Sequence, residues 1–140
     1  MDTKIEAFRA LDIASSGMAA EQRRLEVIAA NLANASTTRT PEGGPYRRKE
    51  AVFQSVYDKV GRQDRLPMVK VVDVAEDASD FKRVFNPGHP EALDGYVTYP
   101  NVDSVFEMVD MMEAMRSYEA NLRSAKTFKT MAESALQIGR

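Results

Sequence analysis

All six prolines and five of the seven glycines of this 140-residue chain fall between Ser36 and Pro100. Both residues break helices, so the chain divides into a middle that cannot be helical and two flanks that can. From Thr3 to Asn34 only Gly17 interrupts a run rich in Ala, Leu, Ile, Met, Glu and Arg, and from Asp103 to Ile138 neither breaker occurs. Thr3-x-x-Glu6 and Ser104-x-x-Glu107 stand at the starts of these runs as capping boxes, in which a hydroxyl accepts from a first-turn amide and the glutamate returns to the cap. Two helices of this extent would each be roughly 50 Å long at the rise of an α-helix.

In the middle, apolar residues alternate instead. Val52 to Tyr57 and Met68 to Val74 predict two strands joined as a hairpin across Gly61-Arg62-Gln63-Asp64. Phe81 to Phe85 and Gly95 to Tyr99 predict short strands around the rigid turn Asn86-Pro87-Gly88-His89-Pro90. The predicted fold class is mainly α with a small β region. Long N- and C-terminal helices form an antiparallel coiled-coil-like pair, and a short middle segment contains the β-hairpin. The division is residues 1–36 and 101–140 for the helical core and 37–100 for the middle, and the shape is a rod with a small knob.

The helical runs carry apolar stripes. Leu11, Met18, Leu25 and Leu32 recur every seven residues, with Phe8, Ser15, Gln22 and Ala29 in the alternate seam positions and Ile28 beside them. Ser15 and Gln22 make that seam too polar to hold an isolated pair, so the helix needs more than one neighbour and is expected to order as it assembles. In the second run Val105, Met108, Met112, Met115, Leu122, Ala125, Ala132 and Leu136 form one stripe, widened by Val109, Met111, Tyr118 and Phe128 beyond a two-stranded seam. Its methionines suit adaptable packing. Asp103, Glu107, Asp110 and Glu113 precede Arg116, Arg123, Lys126 and Lys129, which suits the helix dipole. Asn31 and Asn34 are placed to terminate the first helix.

Composition removes several function classes. There is no cysteine, hence no disulfide, thiolate metal site or cysteine nucleophile, and a net charge of -2 gives no field to recruit nucleic acid or an anionic membrane. Met1-Asp2-Thr3-Lys4-Ile5-Glu6 is amphipathic and acidic, unlike a secretory signal or a membrane span. His89 is the only histidine; with Asp94 it forms the sole pair an enzyme reading has, and turn geometry is the simpler role. Arg47-Arg48-Lys49 reads as a solvated basic loop, with a grip on an acidic neighbour or the membrane ring as the alternative, and Asp73, Glu76, Asp77 and Asp80 as a solvated acidic strand end, with pairing to the basic run across subunits as its alternative.

Arg24-Leu25-Glu26-Val27-Ile28-Ala29-Ala30-Asn31-Leu32-Ala33-Asn34-Ala35-Ser36-Thr37-Thr38 resembles the N-terminal signature of the rod, hook and hook-associated proteins of bacterial flagella. Thr40-Pro41-Glu42-Gly43-Gly44-Pro45-Tyr46-Arg47-Arg48-Lys49, the Asn86-Pro87-Gly88-His89-Pro90 turn with Gly95-Tyr96-Val97 and Pro100-Asn101-Val102, and Glu107 to Met112 with Arg116 to Asn121 resemble its proximal-rod subgroup, the FlgC type. Leu93, in the turn before Gly95, departs from that pattern. The resemblance implies a self-assembling subunit of the hollow proximal rod, exported without a cleaved signal by the flagellar type III apparatus and polymerising in the periplasm. Its partners would be other copies and other rod proteins, with the membrane ring and a rod-base adaptor as further contacts. No cofactor, metal, enzymatic chemistry, nucleic acid or membrane insertion is implied. The stripes alone equally allow a cytoplasmic coiled-coil adaptor or export chaperone.

Overall fold

A computed structural model gives the backbone of residues 2–60 and 64–138 and the side chains of residues 9–57 and 66–137. The element order is α1 (Asp2–Ala33), β1 (Lys49–Val60), β2 (Asp64–Glu76), β3 (Lys82–Phe85), β4 (Tyr96–Tyr99) and α2 (Ser104–Ile138). Both helices and all four strands lie where the glycine and proline distribution puts them. The hairpin connection and the side chains of Phe8 and of the Thr3–Glu6 capping box lie outside the described residues. Thr3 itself sits inside α1, which is already helical at Asp2.

The two helices run antiparallel: Asn31 meets Glu107, Arg24 meets Glu113, and the backbone of Gly17 meets Asn121. A Cβ on Gly17 would stand 2.8 Å from Asn121 Nδ2, so the single glycine of α1 leaves the space that the Asn121 side chain of α2 occupies. The contacts that carry the pairing run through Ala14, Gly17, Glu21, Arg24, Ile28 and Asn31. Leu11, Met18, Leu25 and Leu32 are half-buried beside that line, whereas Ser15 and Gln22, expected in the seam, are exposed, so the polar seam that would make ordering wait for assembly is not formed and α1 buries Ala14, Ala20, Val27 and Ile28 within its own chain.

The hairpin is not a knob. β1 and β2 pair antiparallel over 12 and 13 residues, roughly 40 Å of extended chain, and lie along α1 from Lys49 beside Asn31 to Val69, whose N–H donates to Ser16 Oγ at 3.3 Å. A bulge between Val52 and Phe53 leaves Val72 unpaired and adds local twist. β3 and β4 form a second two-stranded sheet, joined by residues 86–95, within which Asp94-Gly95, both at positive φ, make the two-residue turn of the bridged pair Leu93 and Tyr96. A side chain at Gly95 would stand 2.9 Å from the Phe85 ring.

Among the described residues the buried apolar set is small: Ala14, Ala20, Val27, Ile28, Leu66, Val97, Val102, Ala114 and Ala125. Four of these nine are alanines on the two helices, which lets the helices approach closely there.

Candidate assembly surface and the polar hub behind it

Where α1 ends, β1 starts and α2 begins, the chain buries polar groups. Asn31 and Glu107 are each 1% exposed. The Asn31 amide is fully used: Nδ2 donates to the Lys49 carbonyl at 2.8 Å and to Glu107 Oε2 at 3.0 Å, and Oδ1 accepts from Lys49 N–H at 2.9 Å and from the Tyr46 hydroxyl at 3.0 Å. One side chain thus ties both helices to the start of the hairpin.

Glu107 Oε1 takes a charge-assisted bond from Arg48 Nε at 2.6 Å, and the Arg48 guanidinium also lies within 3.6–3.7 Å of Asp77, Asp110 and Glu50. Burial works against the Arg48 charge, but the bond to Glu107 and the surrounding carboxylates outweigh it and raise its pKa. Burial, then the charges of Glu107 and Glu76, push the Tyr46 hydroxyl up as well, so it stays a donor to Asn31. Asn101 completes the hub: Oδ1 accepts the Arg48 N–H at 2.7 Å, while Nδ2 donates to the Asp77 carbonyl and to Ser79 Oγ.

These contacts correct several sequence readings. The basic run is not a solvated loop: Arg48 is in the hub, and Arg47 donates to the Asp77 carbonyl at 2.7 Å and stacks over Phe81 at 4.3 Å. Asp77 of the supposedly solvated acidic end is their partner, held below the usual carboxylate range by hydrogen bonds from the backbone and side chain of Ser79. Asn31 does not terminate α1. Asn34 does, its Nδ2 donating to the Ala30 carbonyl at 2.9 Å, without left-handed backbone. The second capping box is not formed: Asp103 Oδ1 accepts from Val105 N–H at 3.0 Å and Phe106 N–H at 3.5 Å, leaving Ser104 as the first helical residue and freeing Glu107 for Arg48. A carboxylate is the stronger acceptor for amides at a helix N-terminus, and those bonds hold Asp103 low.

The opposite face of α2 is apolar and open. Val105 is 69% exposed, Phe106 72%, and Met108, Val109, Met112 and Met115 50–53%. Val105, Met108, Val109, Met112 and Met115 fall at i, i+3, i+4, i+7 and i+10 and so share one face, about 140° round the helix from the line of Glu107, Ala114 and Ala125 that faces α1. Of the other expected packing residues, Tyr118, Leu122 and Phe128 are half-buried, Ile28 is buried, and Leu136 is 49% exposed. Over its first three turns the helix therefore hides Glu107 and Ala114 and presents Val105, Met108, Val109, Met112 and Met115.

The family-motif residues serve local geometry. Pro45 and Tyr46 deliver the hydroxyl to Asn31. Pro87, Gly88 and Pro90 surround a turn in which His89 Nδ1 accepts the Glu91 N–H at 3.2 Å and His89 N–H donates to Asn86. Glu107, Arg48 and Asn101 were missed as a site because each has an ordinary local role; a glutamate three residues into a helix and an arginine in a polar loop carry no signal of meeting. Gly17 did carry one, as the lone glycine in an otherwise strong helix.

Comparison with known proteins fits this architecture. Residues 11–39 match the family model described as "Flagella basal body rod protein", and residues 93–138 match "Flagellar basal body rod FlgEFG protein C-terminal". The flagellar basal-body rod protein FlgC of Salmonella typhimurium is 46% identical over 91% of this chain and 94% of its own. Those of Borreliella burgdorferi and Bacillus subtilis are each 39% identical, over 94% and 96% of this chain and 96% and 99% of theirs. Similar over nearly its whole length to proteins of one kind, the chain belongs to the FlgC family of flagellar basal-body rod proteins and is a structural subunit of the flagellar rod.

Proposed function

We propose that this subunit builds the hollow proximal rod, polymerising through its terminal helices into a shaft that transmits torque and passes exported subunits. The observation that carries the reading is the inversion on α2, with Glu107 buried and Val105, Met108, Val109, Met112 and Met115 in the open. A soluble monomer gains nothing from that arrangement, whereas a subunit covered by neighbours does. Those residues, together with Phe8, Leu11, Met18, Leu25, Leu32, Tyr118, Leu122, Phe128 and Leu136, form the packing set, and neighbours tighten the two helices into a coiled-coil-like core. Residues 1–36 and 101–140 make that core, and 37–100 brace it from the side.

The partners are other copies and other rod proteins, with the membrane ring and a rod-base adaptor at the ends. The chain reaches the periplasm through the flagellar type III apparatus without a cleaved signal, and it performs no chemistry and holds no cofactor. Among the described residues no helix is long and apolar enough to cross a membrane. A strain lacking the chain should form neither hook nor filament, and the tagged chain should co-purify with detergent-resistant basal bodies. Recovery only from the soluble fraction of flagellated cells would overturn the reading.

A further inference from the structure

Among the open apolar surfaces of the described residues, two belong to the helices and differ in shape. One is the convex row Val105, Met108, Val109, Met112 and Met115 on α2. The other is a groove of about 460 Å³ where α1, the hairpin and α2 meet, lined by Ile13, Phe53, Val69 and Phe128 with the small residues Ala14 and Gly17 between them. Its walls are unfinished, with Ile13, Phe53 and Val69 39–40% exposed.

The two match in length, and the row is large enough for an interface. Val105 to Met115 spans roughly 15 Å of helix, and the groove follows α1 from Ala10 to Glu21, roughly 17 Å. At their exposures the five side chains of the row present roughly 500 Å² of apolar surface, the size of the largest patches on monomers, which are often functional, and most of the ~800 Å² that one side of a stable interface buries. Small residues in the groove let a helix approach, and methionine side chains adapt to its walls.

We infer that the apolar row of one copy of this chain seats in the groove of the next copy. This deepens the rod-subunit reading and rests on it. No copy fills its own groove: the row faces away from α1. Since Asn31 meets Glu107 and Arg24 meets Glu113, Asp110 at its centre is level with Ile28, about 12 residues or roughly 18 Å along the axis from the groove's centre. The contact is heterologous and repeats with that stagger of roughly 18 Å, which propagates a tube or filament; row-on-row pairing would bury the same side chains but stop at a dimer.

The absence of native cysteine makes the test direct. Ile13→Cys and Met112→Cys in one chain lie roughly 20 Å apart within a copy, far beyond the ~7 Å Cα limit for a disulfide, so any bond joins two copies. The variant is co-produced with the unmodified chain so that rods assemble, and isolated basal bodies are oxidised and run without reductant. The expected result is species of dimer size and above for the double variant, heterodimers when the two single variants are mixed, and monomer for each single variant alone. The pair Val69→Cys and Val109→Cys repeats the test at a second point of the same contact. Dimers from Met112→Cys alone, bonds only to a different rod protein, or incorporated chain with no bond at either pair would each overturn the inference. Absence of the chain from basal bodies would instead overturn the rod-subunit reading, and the inference would fall with it.

Discussion

Replacing Asn31 by alanine should be among the most damaging single changes to the folded chain. The substitution deletes four hydrogen bonds of 2.8–3.0 Å at a residue 1% exposed, one of them to the Glu107 carboxylate. Neutral bonds contribute about 1 kcal/mol each and a bond to a charge about 1.5–3, and water reaches some of the partners because Lys49 is exposed. The expected loss is about 3–5 kcal/mol, a large fraction of the 5–15 kcal/mol typical of a domain. In urea, with a slope of roughly 2 kcal/mol per molar, the midpoint followed by far-UV circular dichroism should fall by about 2 M with the slope unchanged. Asn31→Asp keeps the shape but sets two carboxylates 3.0 Å apart, so it should be worse than alanine at pH 7 and recover as the pair shares a proton in acid. Adding Glu107→Gln should restore much of that loss by reversing the donor and acceptor. A loss below about 1 kcal/mol for Asn31→Ala, or no rescue in the double variant, would refute the hub as the joint of the fold.

Gly17→Leu should destabilise by about 1–3 kcal/mol through overpacking against Asn121, while Gly17→Ala, displacing only the mobile end of that side chain, should be nearly neutral; thermal melts distinguish them. Glu21 is raised by burial, with Arg24 opposing and Glu113 adding, and its Oε2 has no hydrogen-bond partner. A raised value means stability is present below the ordinary pKa of 4.5 and lost as pH rises through the folded value, so Glu21→Gln should raise the melting midpoint at pH 7 and make little difference at pH 4. Asp103 has the opposite sign: its backbone hydrogen bonds from Val105 and Phe106 hold it low, so its contribution is present above 3.8 and lost as pH falls through the folded value. Asp103→Ala should therefore lower the midpoint at pH 7, with the gap closing in strong acid.

The elements were legible because they rest on local chemistry. Proline and glycine placement bounded both helices, and alternation located β1 to β4 within a few residues. Partner choice was less so. Heptad spacing picked out Leu11, Met18, Leu25 and Leu32, but the helices meet through Ala14, Gly17, Ile28 and Asn31, since close approach favours small residues and a satisfied amide over large apolar ones. The width of the α2 stripe did announce surplus apolar surface, and Val105 to Met115 stand open. The hub was invisible because its members, Asn31, Arg48, Asn101 and Glu107, are far apart in sequence and meet only through the fold.

The central claim is that the open face of α2 exists to be covered in the rod. Met108→Asp with Met112→Asp tests it, since both sites are 53% exposed and a charge there need not disturb the folded chain. The purified variant should keep the urea midpoint of the parent, yet electron micrographs of cells carrying it as the sole copy should show no hook-bearing basal bodies. Normal numbers of complete basal bodies in those cells would contradict the account.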